Sequence, residues 1–393
     1  MTIDVERARS LTPGCREVVH LNNAGAALMP QPVVDALHAH IDREAAIGGY
    51  DAADEAADRL AATYESIARL IGARSDEIAF VDSATRAWHS GFHAVPLAPG
   101  QRILTTSAEY ASNAMSIGQV VARTGAEAVL LPDDERGAVD LGALDAELER
   151  GDVGLVAVTH VATSNGAVTP VAEIGRRCRS AGVPYLLDAC QSVGQLRVDV
   201  DEIGCDLLAA TGRKFLRGPR GTGFLYVRSS IVEQLVPPVV DLRAAEWTGP
   251  FSYRFHADAR RFETWERSVA GHLGLGAAVD HLLGWGIDAV EERVVALAEQ
   301  LRIRLADVAG VRVHDKSGPR CGIVTFTREG VEAATLADQL SAAGVNVWVS
   351  PGAESHLDLI PRGLASGVVR ASVHYYNTEA ELDRAIEVIS TGT

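Results

Sequence analysis

Between Ile78 and Val227 the sequence alternates short apolar runs with longer segments of helical spacing, and this alternation strongly restricts the fold. Seven runs have the length of β-strands: IAFVD from Ile78, RILTT from Arg102, EAVLL from Glu127, LVAVTH from Leu155, PYLLDA from Pro184, DLLAAT from Asp206 and GFLYV from Gly223. Helical segments lie between them, such as VAEIGRRCRSAG, which ends at Gly182. This pattern is typical of an α/β protein in which helices cover a sheet. One further helix is predicted from Asp51, ending at Gly72.

After Trp265 the pattern changes. Two long helical segments, 268–286 and 290–310, precede four strand-like runs with the sequences VRVHD, GIVTFT, NVWVS and VVRASV. A chain of 393 residues is also longer than a single hydrophobic core usually serves. We therefore predict a large domain over residues 20–285 and a smaller α+β domain made of residues 286–393 together with residues 1–19.

The charge and the cysteine content narrow the classes of partner. A net charge of −16 opposes binding to nucleic acid or to an anionic membrane, because both would repel the chain. No stretch approaches the roughly 18 apolar residues of a membrane span, and the opening MTIDVERARS lacks the apolar run of a signal peptide. The five cysteines are widely spaced and form no CxxC pair, so no metal site or disulfide framework is predicted. We expect a cytoplasmic protein with no nucleic acid or membrane partner.

One lysine stands out in the stretch TGRKFLRGPRGTG, which begins at Thr211. Only two of the 36 basic residues are lysines, Lys214 and Lys316, and all the others are arginines. A lysine can lose its proton and form a Schiff base, whereas an arginine cannot be deprotonated in a protein. Retention of Lys214 therefore favours a functional amine, and a surface lysine kept by chance is the alternative.

The residues before this lysine suggest a cofactor with a phosphate group. The apolar run PYLLDA contains Asp188 where a buried strand meets its loop, and ligands collect at the carboxyl ends of such strands. A carboxylate there can cap a helix, or it can keep the ring nitrogen of pyridoxal phosphate protonated. Thr211 and Gly212 offer a hydroxyl group and a close backbone to a phosphate, and Arg213 adds positive charge.

With these features in place, the stretch from Asp188 to Arg228 resembles the cofactor-binding core of the class V, fold-type I pyridoxal phosphate enzymes. That family includes cysteine desulfurases, selenocysteine lyase, carbon–sulfur lyases and isopenicillin N epimerase-like proteins. Further motifs follow the order of the family: LNNAGAALMP from Leu21, FVDSATRAWH from Phe80, AEYASN from Ala108, THVATSNGAVTPV from Thr159 and VVRASVHYYNTEAELD from Val368. The resemblance implies an α/β fold with a mostly parallel seven-stranded sheet in the large domain and a smaller C-terminal α+β domain.

The resemblance also implies a set of cofactor contacts. Lys214 would form the Schiff base with pyridoxal 5'-phosphate, Asp188 would pair with the pyridinium nitrogen, and Gln191 would bind the ring hydroxyl. The predicted phosphate contacts are Thr85, the backbone at Ala84, Thr211 and Arg213, which replaces the usual histidine. Tyr110 occupies the ring-stacking position that histidine holds in desulfurases, so an acid–base role there is not carried over. Near the ring oxygen the match falls on Thr163, and Asn165 is an alternative.

The substrate contacts implied by the resemblance centre on Arg370. Its guanidinium would clamp the α-carboxylate of an amino acid substrate, although a structural salt bridge on a strand is the alternative. The other polar candidates, each of which could also be purely structural, are Asn22, Asn23, His89 and His374. The family further implies a homodimer with a shared active site, to which the segment from Glu246 to Glu266 would contribute. Thr248 is a candidate there, while Thr264 and Trp265 depart from the glycine-containing segment of relatives.

The absence of one cysteine limits the reactions that the chain is expected to catalyse. Group II cysteine desulfurases carry a nucleophilic cysteine shortly before the carboxylate-binding arginine, but the corresponding segment 347–370 contains no cysteine. We therefore expect a carbon–sulfur lyase that removes the Cα proton through Lys214 and eliminates sulfur from a cysteine S-conjugate, in specialised metabolism. The alternatives are a pyridoxal phosphate-dependent aminotransferase, epimerase or decarboxylative deaminase. A binding protein without catalysis is a third class, which the combination of Lys214, Asp188 and Arg370 disfavours.

Overall fold

A computed structural model describes residues 2–135, 137–315 and 318–391. The helices are α1 (Val5–Ser10), α2 (Asn23–Ala26), α3 (Gln31–Ile47), α4 (Gly49–Glu55), α5 (Ala57–Ile71), α6 (Ala84–Ala94), α7 (Ala111–Thr124), α8 (Leu141–Glu149), α9 (Val171–Ala181), α10 (Val200–Ile203), α11 (Val269–Trp285), α12 (Ile287–Ala306), α13 (Ala333–Ala342) and α14 (Glu379–Thr391). The strands are β1 (Val19–His20), β2 (Ile78–Val81), β3 (Arg102–Thr105), β4 (Glu127–Leu130), β5 (Val153–Thr159), β6 (Tyr185–Asp188), β7 (Leu207–Thr211), β8 (Gly223–Val227), β9 (Ala245–Gly249), β10 (Ser252–Phe255), β11 (Val311–Val313), β12 (Ile323–Arg328), β13 (Val345–Asn346), β14 (Trp348–Ser350) and β15 (Val368–Ser372).

All seven apolar runs form one sheet with the strand order β2-β8-β7-β6-β5-β3-β4. Only β8 runs antiparallel to its neighbours, so the predicted α/β fold with a mostly parallel seven-stranded sheet is confirmed. Successive residues of a strand point to opposite faces, and Leu186 and Leu187 accordingly belong to two separate apolar clusters. Burial of each such side chain contributes about 1.5–3 kcal/mol. The carboxyl ends of β5, β6 and β7 meet at one edge of this sheet.

The helix predicted from Asp51 is two helices in the structure. The break falls at Ala56, with φ −91° and ψ 0°, between α4 and α5. Helix α4 packs on α3, whereas α5 packs on α11. One continuous helix would have to make both of these contacts along a single axis. Ala56 itself is buried in an apolar cluster with Leu60 and Leu273. Tertiary packing therefore overrides the helical spacing, although α5 ends before Gly72 as predicted.

A second, antiparallel sheet of order β11-β12-β15-β14 follows α12, which packs on β11 and β12. The run NVWVS is divided between two strands, because β13 pairs in parallel with β1 while β14 pairs with β15. The N-terminal strand thus joins this part of the chain. One apolar cluster nevertheless reaches from Leu187 of the large sheet to Val324 of the second sheet. The division of the chain at residue 285 stays a prediction.

No helix within the described ranges combines the length and the apolar character that a membrane crossing requires.

Candidate active site

Lys214 lies in the loop 212–222 between β7 and β8, and the residue after it is fixed by a buried histidine. Nε2 of His374 lies 3.0 Å from the carbonyl oxygen of Phe215, and the backbone N–H of Tyr375 donates to Nδ1 at 2.9 Å. The ring must therefore carry its proton on Nε2. Burial lowers the pKa of His374 well below its ordinary value, so the imidazole is neutral. His374 is a structural residue, one of the two readings that the sequence left open.

A buried arginine fixes the other side of the same loop. Arg217 has a φ of 60°, the left-handed region that residues other than glycine seldom adopt. Its guanidinium donates to the carbonyl oxygen of Leu28 at 2.9 Å, to Oη of Tyr375 at 2.5 Å and to Oγ1 of Thr12 at 2.6 Å. It also lies 4.4 Å from the ring centre of Tyr376. These contacts hold the strained backbone, so Lys214 stands on a loop anchored on both sides.

Every residue predicted to contact the cofactor lines one depression at the strand ends, which we call the inner pocket. Those residues are Ala84, Thr85, Tyr110, Thr163, Asp188, Gln191, Thr211, Arg213 and Lys214. The amine of Lys214 makes no hydrogen bond within the described residues. Burial, with smaller contributions from the charges of Arg213 and Arg370, lowers its pKa. The neutral form that can act as a nucleophile or a base is thereby favoured.

Asp188 ends β6 with its carboxylate held in one orientation. Its Oδ1 accepts from the backbone N–H of Cys190 at 2.9 Å, and its Oδ2 accepts from Nδ2 of Asn113, also at 2.9 Å. Asp188 is 5% exposed and lines the inner pocket. A cationic ring nitrogen placed there would meet a fixed negative charge.

The sequence reasoning missed a second buried carboxyl group behind Asp188. Oε1 of Glu109 accepts from Nδ2 of Asn113 at 2.8 Å, from Oγ1 of Thr159 at 2.7 Å and from the backbone N–H of Tyr110 at 2.8 Å. Burial, with a contribution from the charge of Asp188, raises the pKa of Glu109 to about 7. Glu109 and Asn113 are four residues apart in the motif AEYASN, and this spacing was the available signal.

The start of α6 forms the end of the inner pocket that suits an anion. Ser83 caps this helix by accepting from the backbone N–H of Arg86 at 3.2 Å. The N–H groups of Ala84 and Thr85 precede the first helical hydrogen bond and stand at the positive end of the helix dipole. Gly223 permits this arrangement, because a Cβ atom there would lie 2.7 Å from the carbonyl oxygen of Ala210 and 2.9 Å from the carbonyl carbon of Ser83.

Thr163 connects the inner pocket to the arginine on β15. Its Oγ1 accepts from Nε2 of Gln191 at 2.9 Å and from Nη1 of Arg370 at 2.6 Å. Asn165, the alternative in the sequence, instead donates to Asp358 at 2.8 Å and accepts from the backbone of Ala167 at 2.7 Å. The structure therefore brings Thr163 to the pocket and leaves Asn165 outside it.

A larger space, which we call the outer cavity, opens above the inner pocket and has a volume of about 670 Å³. Tyr110, Thr163, Arg213 and Lys214 line both, and Arg370 and Asn22 line only the outer cavity. Oδ1 of Asn22 accepts from Nη2 of Arg370 at 3.5 Å. The remaining polar candidates from the sequence do not reach either space. Asn23 is buried and bonds the carbonyl oxygen of Ser372 and the hydroxyl of Tyr376, and His89 stacks edge-on to Trp88 on α6.

The cysteines of the chain are poor nucleophiles. All five are free, and none of them lines the outer cavity. Burial raises the pKa of Cys321 to about 11 and that of Cys178 to about 12. Cys190 lines the inner pocket, but burial raises its pKa well above the ordinary value. A thiolate, the form that attacks sulfur, is therefore disfavoured at neutral pH.

The inner pocket fits pyridoxal phosphate. The buried Oε1 of Gln191 has no partner in the described chain and can accept from a ring hydroxyl. The N–H groups at the start of α6 suit the phosphate, Asp188 suits the ring nitrogen, and Lys214 lines the same pocket. These groups differ in chemistry, and their combination is what the three parts of that cofactor require.

Comparison with known proteins supports the same assignment. The aminotransferase class-V family model matches residues 19–385. The probable cysteine desulfurase of Methanothermobacter thermautotrophicus is 30% identical over 385 residues, which cover 96% of this chain and 95% of that protein. The apo structure of the cysteine desulfurase from Thermococcus onnurineus NA1 has a TM-score of 0.90 at 25% identity and covers 100% of this chain and 99% of that chain.

A third similar structure, the cystine C–S lyase C-DES in complex with cysteine persulfide, has a TM-score of 0.85 at 21% identity and covers 97% of this chain and 99% of that chain. At that identity the likeness shows a shared fold alone. The family match over most of the chain confirms the predicted resemblance and its cofactor: the protein is a member of the aminotransferase class-V family, which depends on pyridoxal phosphate.

Proposed function

We propose that the protein is a carbon–sulfur lyase that cleaves the Cβ–S bond of a cysteine S-conjugate. The outer cavity carries this proposal: it is about 670 Å³ in volume, reaches Lys214 and is lined by no cysteine. Cavities of about 300–1,000 Å³ suit drug-sized ligands, so free cysteine would leave most of the space empty. The relatives named as cysteine desulfurases suggest sulfur chemistry, but a persulfide-forming reaction needs a thiolate that the outer cavity does not provide.

The roles proposed for the inner-pocket residues are those that the family resemblance implies, and all of these residues line the pocket. Lys214 would hold the cofactor and move the substrate proton, Asp188 would keep the ring nitrogen protonated, and Gln191 would bind the ring hydroxyl beside Thr163. The ring of Tyr110 would stack on the cofactor. The phosphate contacts are Ala84, Thr85, Thr211 and Arg213. When bound, pyridoxal phosphate supplies an electron sink for the pair freed at the substrate Cα.

We assign the α-carboxylate of the substrate to Arg370. Burial, followed by the charge of Arg213, lowers the pKa of Arg370 to about 10, so the group remains a cation at neutral pH. Its described partners are neutral oxygens of Thr163 and Asn22, and its Nε is buried without a partner. A buried cation without a counter-ion is costly. A carboxylate that enters the outer cavity would supply the missing charge, with Asn22 orienting the guanidinium.

The proton transfers of the reaction fall to Lys214. Its neutral amine takes the proton from Cα, the Cβ–S bond breaks, and the electron pair of that bond leaves with the sulfur. The lysine then carries the proton that the departing thiolate requires. Hydrolysis of the remaining three-carbon fragment gives pyruvate and ammonia.

Incubation of the cofactor-loaded protein with S-substituted cysteines tests the proposal. We expect pyruvate and the free thiol in equal amounts, and a Lys214→Ala variant should lose about 10²–10⁴-fold in rate. Cys190→Ala and Cys321→Ala serve as controls and should retain the activity, because neither thiol takes part. Release of neither product would refute the lyase. A sulfur-containing keto acid would indicate transamination instead, and loss of optical activity in the recovered amino acid would indicate epimerisation.

We also propose that the protein is a homodimer with a shared active site, located in the cytoplasm. The hairpin of β9 and β10 exposes Trp247, Phe251 and Tyr253, and Trp265 is exposed nearby in the sequence. Exposed aromatic clusters of this kind mark protein interfaces, and a second copy of the chain is the occupant that the family suggests. Thr248 of the same hairpin is the proposed contribution to the neighbouring site. The five free cysteines support a reducing compartment.

A further inference from the structure

Three arginines face the outer cavity, and none of them has a carboxylate partner within the described residues. Arg213, Arg220 and Arg370 line this space, and Arg220 is exposed there with no hydrogen bond or ion pair to the described chain. Elsewhere arginines of this chain commonly pair with acids, for example Arg43 with Glu55 and Arg293 with Glu379. In a chain with a net charge of −16, three guanidinium groups around one cavity, none of them paired with a carboxylate of the described residues, favour an anionic occupant.

The three charges also act on one another. The pKa of Arg213 is lowered by burial and then by the charge of Arg220, and that of Arg370 is lowered by burial and then by the charge of Arg213. Two acids also line the cavity, Glu109 and Glu354, and neither forms an ion pair with any of the three arginines within the described residues. Anions that bind in the cavity would therefore relieve repulsion as well as form new contacts.

The proposed function assigns an anion to two of the three arginines. Arg370 would bind the α-carboxylate of the substrate, and Arg213 would bind the cofactor phosphate. Arg220, an exposed residue of the cavity lining, has no anion assigned to it. A second anionic group on the substrate would supply a partner for Arg220.

Large apolar side chains line the same cavity as the three arginines. Tyr110, Met115 and Trp348 line it and are 42%, 68% and 52% exposed, respectively. Large apolar side chains that are this exposed in a cavity favour a ligand with an apolar surface. A small polar substituent on the sulfur would leave the side chains of Met115 and Trp348 in contact with water.

We propose that the substrate is a cysteine S-conjugate whose S-substituent is apolar next to the sulfur and ends in a second anionic group, bound by Arg220. The inference rests on the proposed carbon–sulfur cleavage and specifies its substrate class. Tyr110, Met115 and Trp348 contact the apolar part, while Arg370 and Arg220 bind the two anionic ends. A guanidinium binds a carboxylate or a sulfonate through paired hydrogen bonds, whereas an uncharged amide of the same shape offers one acceptor.

A matched pair of substrates tests this, S-(para-carboxybenzyl)cysteine and its neutral isostere S-(para-carbamoylbenzyl)cysteine. We expect kcat/KM to be about tenfold to a hundredfold higher for the carboxylate, as a charge-assisted contact provides. Arg220→Gln should remove most of this preference, and Arg220→Lys should retain part of it. Arg16 is another exposed arginine without a described partner, and it lies outside the cavity. Arg16→Gln is therefore the control and should keep the full preference for the carboxylate substrate. Binding of both compounds to the Lys214→Ala protein gives a second readout that does not depend on turnover.

Each alternative result has a distinct meaning. Equal turnover of the two compounds would overturn this inference while leaving the carbon–sulfur lyase intact. Turnover of neither compound, nor of simpler S-alkyl cysteines, would overturn the lyase itself. Weaker retention of pyridoxal phosphate by Arg220→Gln, with both substrates affected equally, would assign Arg220 to the cofactor phosphate and also overturn the inference.

Discussion

Glu109 shows how a single residue can set the charge behind the cofactor site. Its carboxyl group shares the amide of Asn113 with Asp188, so two acids lie on either side of one donor. Because the pKa of Glu109 is raised to about 7, its carboxyl group is protonated below neutral pH. Above that pH the two acids repel each other in a buried environment.

This arrangement predicts how stability depends on pH. Between its ordinary pKa of 4.5 and about 7, the folded protein binds a proton at Glu109 that the unfolded chain has lost. Stability contributed by this group therefore falls as the pH rises through that window. A Glu109→Gln variant lacks this pH-dependent loss of stability. Between pH 5 and pH 8 its free energy of unfolding should therefore rise by up to about 3 kcal/mol relative to that of wild type. Denaturant titrations of the cofactor-free proteins at the two pH values measure the difference.

The amide group that Glu109→Gln introduces preserves the contacts of the acid. Its oxygen can accept from Tyr110, Asn113 and Thr159 as Oε1 does, and its nitrogen can donate to Oγ1 of Thr105, which lies 3.2 Å from Oε2. Glu354→Gln, at an exposed acid, is the matched control and should follow wild type at both values. Equal pH slopes for Glu109→Gln and wild type would show that the acid is ionised throughout.

The sequence motifs were sufficient to bring the predicted residues together in the inner pocket, because several of them stand at a strand end or a helix start. Asp188 ends β6, Thr211 ends β7, and Ala84 begins α6. The partnership of Glu109 with Thr159 was beyond sequence reasoning, since it depends on which strands lie side by side. Glu109 and Thr159 are far apart in the sequence, so the sequence does not show that they are in contact.

At the scale of elements, the contact between β8 and the start of α6 depends on one glycine. A Gly223→Ala variant would place its Cβ within 2.7 Å of a backbone oxygen, so the strand and the helix start must move apart. We expect a loss of about 1–3 kcal/mol in stability and weaker retention of pyridoxal phosphate. Thermal unfolding and the cofactor content after dialysis measure the two effects.

Gly284→Ala is the control, because Gly284 is exposed on α11 and a Cβ there would meet nothing within 4 Å. It should keep the cofactor content of wild type and should not lower the melting temperature. If Gly223→Ala retained the cofactor like Gly284→Ala, the close approach of β8 would not shape the phosphate site.

Elements governed by local pattern were predicted well, and elements governed by distant partners were not. The strands of the large sheet are continuous apolar runs, which a sequence displays directly. The division of NVWVS between β13 and β14 arises from pairing with β1, more than 300 residues earlier in the chain. The β9–β10 hairpin was expected only as a contact segment, because its exposed aromatic residues lack the alternation of a half-buried strand.

At the scale of the whole molecule, the hairpin is the testable part of the proposed dimer. Phe251 is 99% exposed and Trp247 is 69% exposed, an unfavourable state for aromatic rings in water. Phe251→Asp and Trp247→Asp should each shift the protein from dimer toward monomer in size-exclusion chromatography with light scattering. Because the site is proposed to be shared, activity should fall together with the dimer fraction.

Ile303→Asp provides the control for that experiment, since Ile303 is similarly exposed but lies on α12. It should leave the oligomeric state unchanged. If the wild-type protein were active as a monomer, the proposed dimer and the proposed contribution of Thr248 to the neighbouring site would both be refuted.

The anchoring of the lysine loop has a consequence for biosynthesis. Phe215 is held by His374, and Arg217 is held by Tyr375. A nascent chain would already have emerged from the ribosome with its large sheet complete while these two partners were still untranslated. The lysine could then be present but poorly positioned, and capture of the vitamin-derived cofactor would be among the last events in maturation.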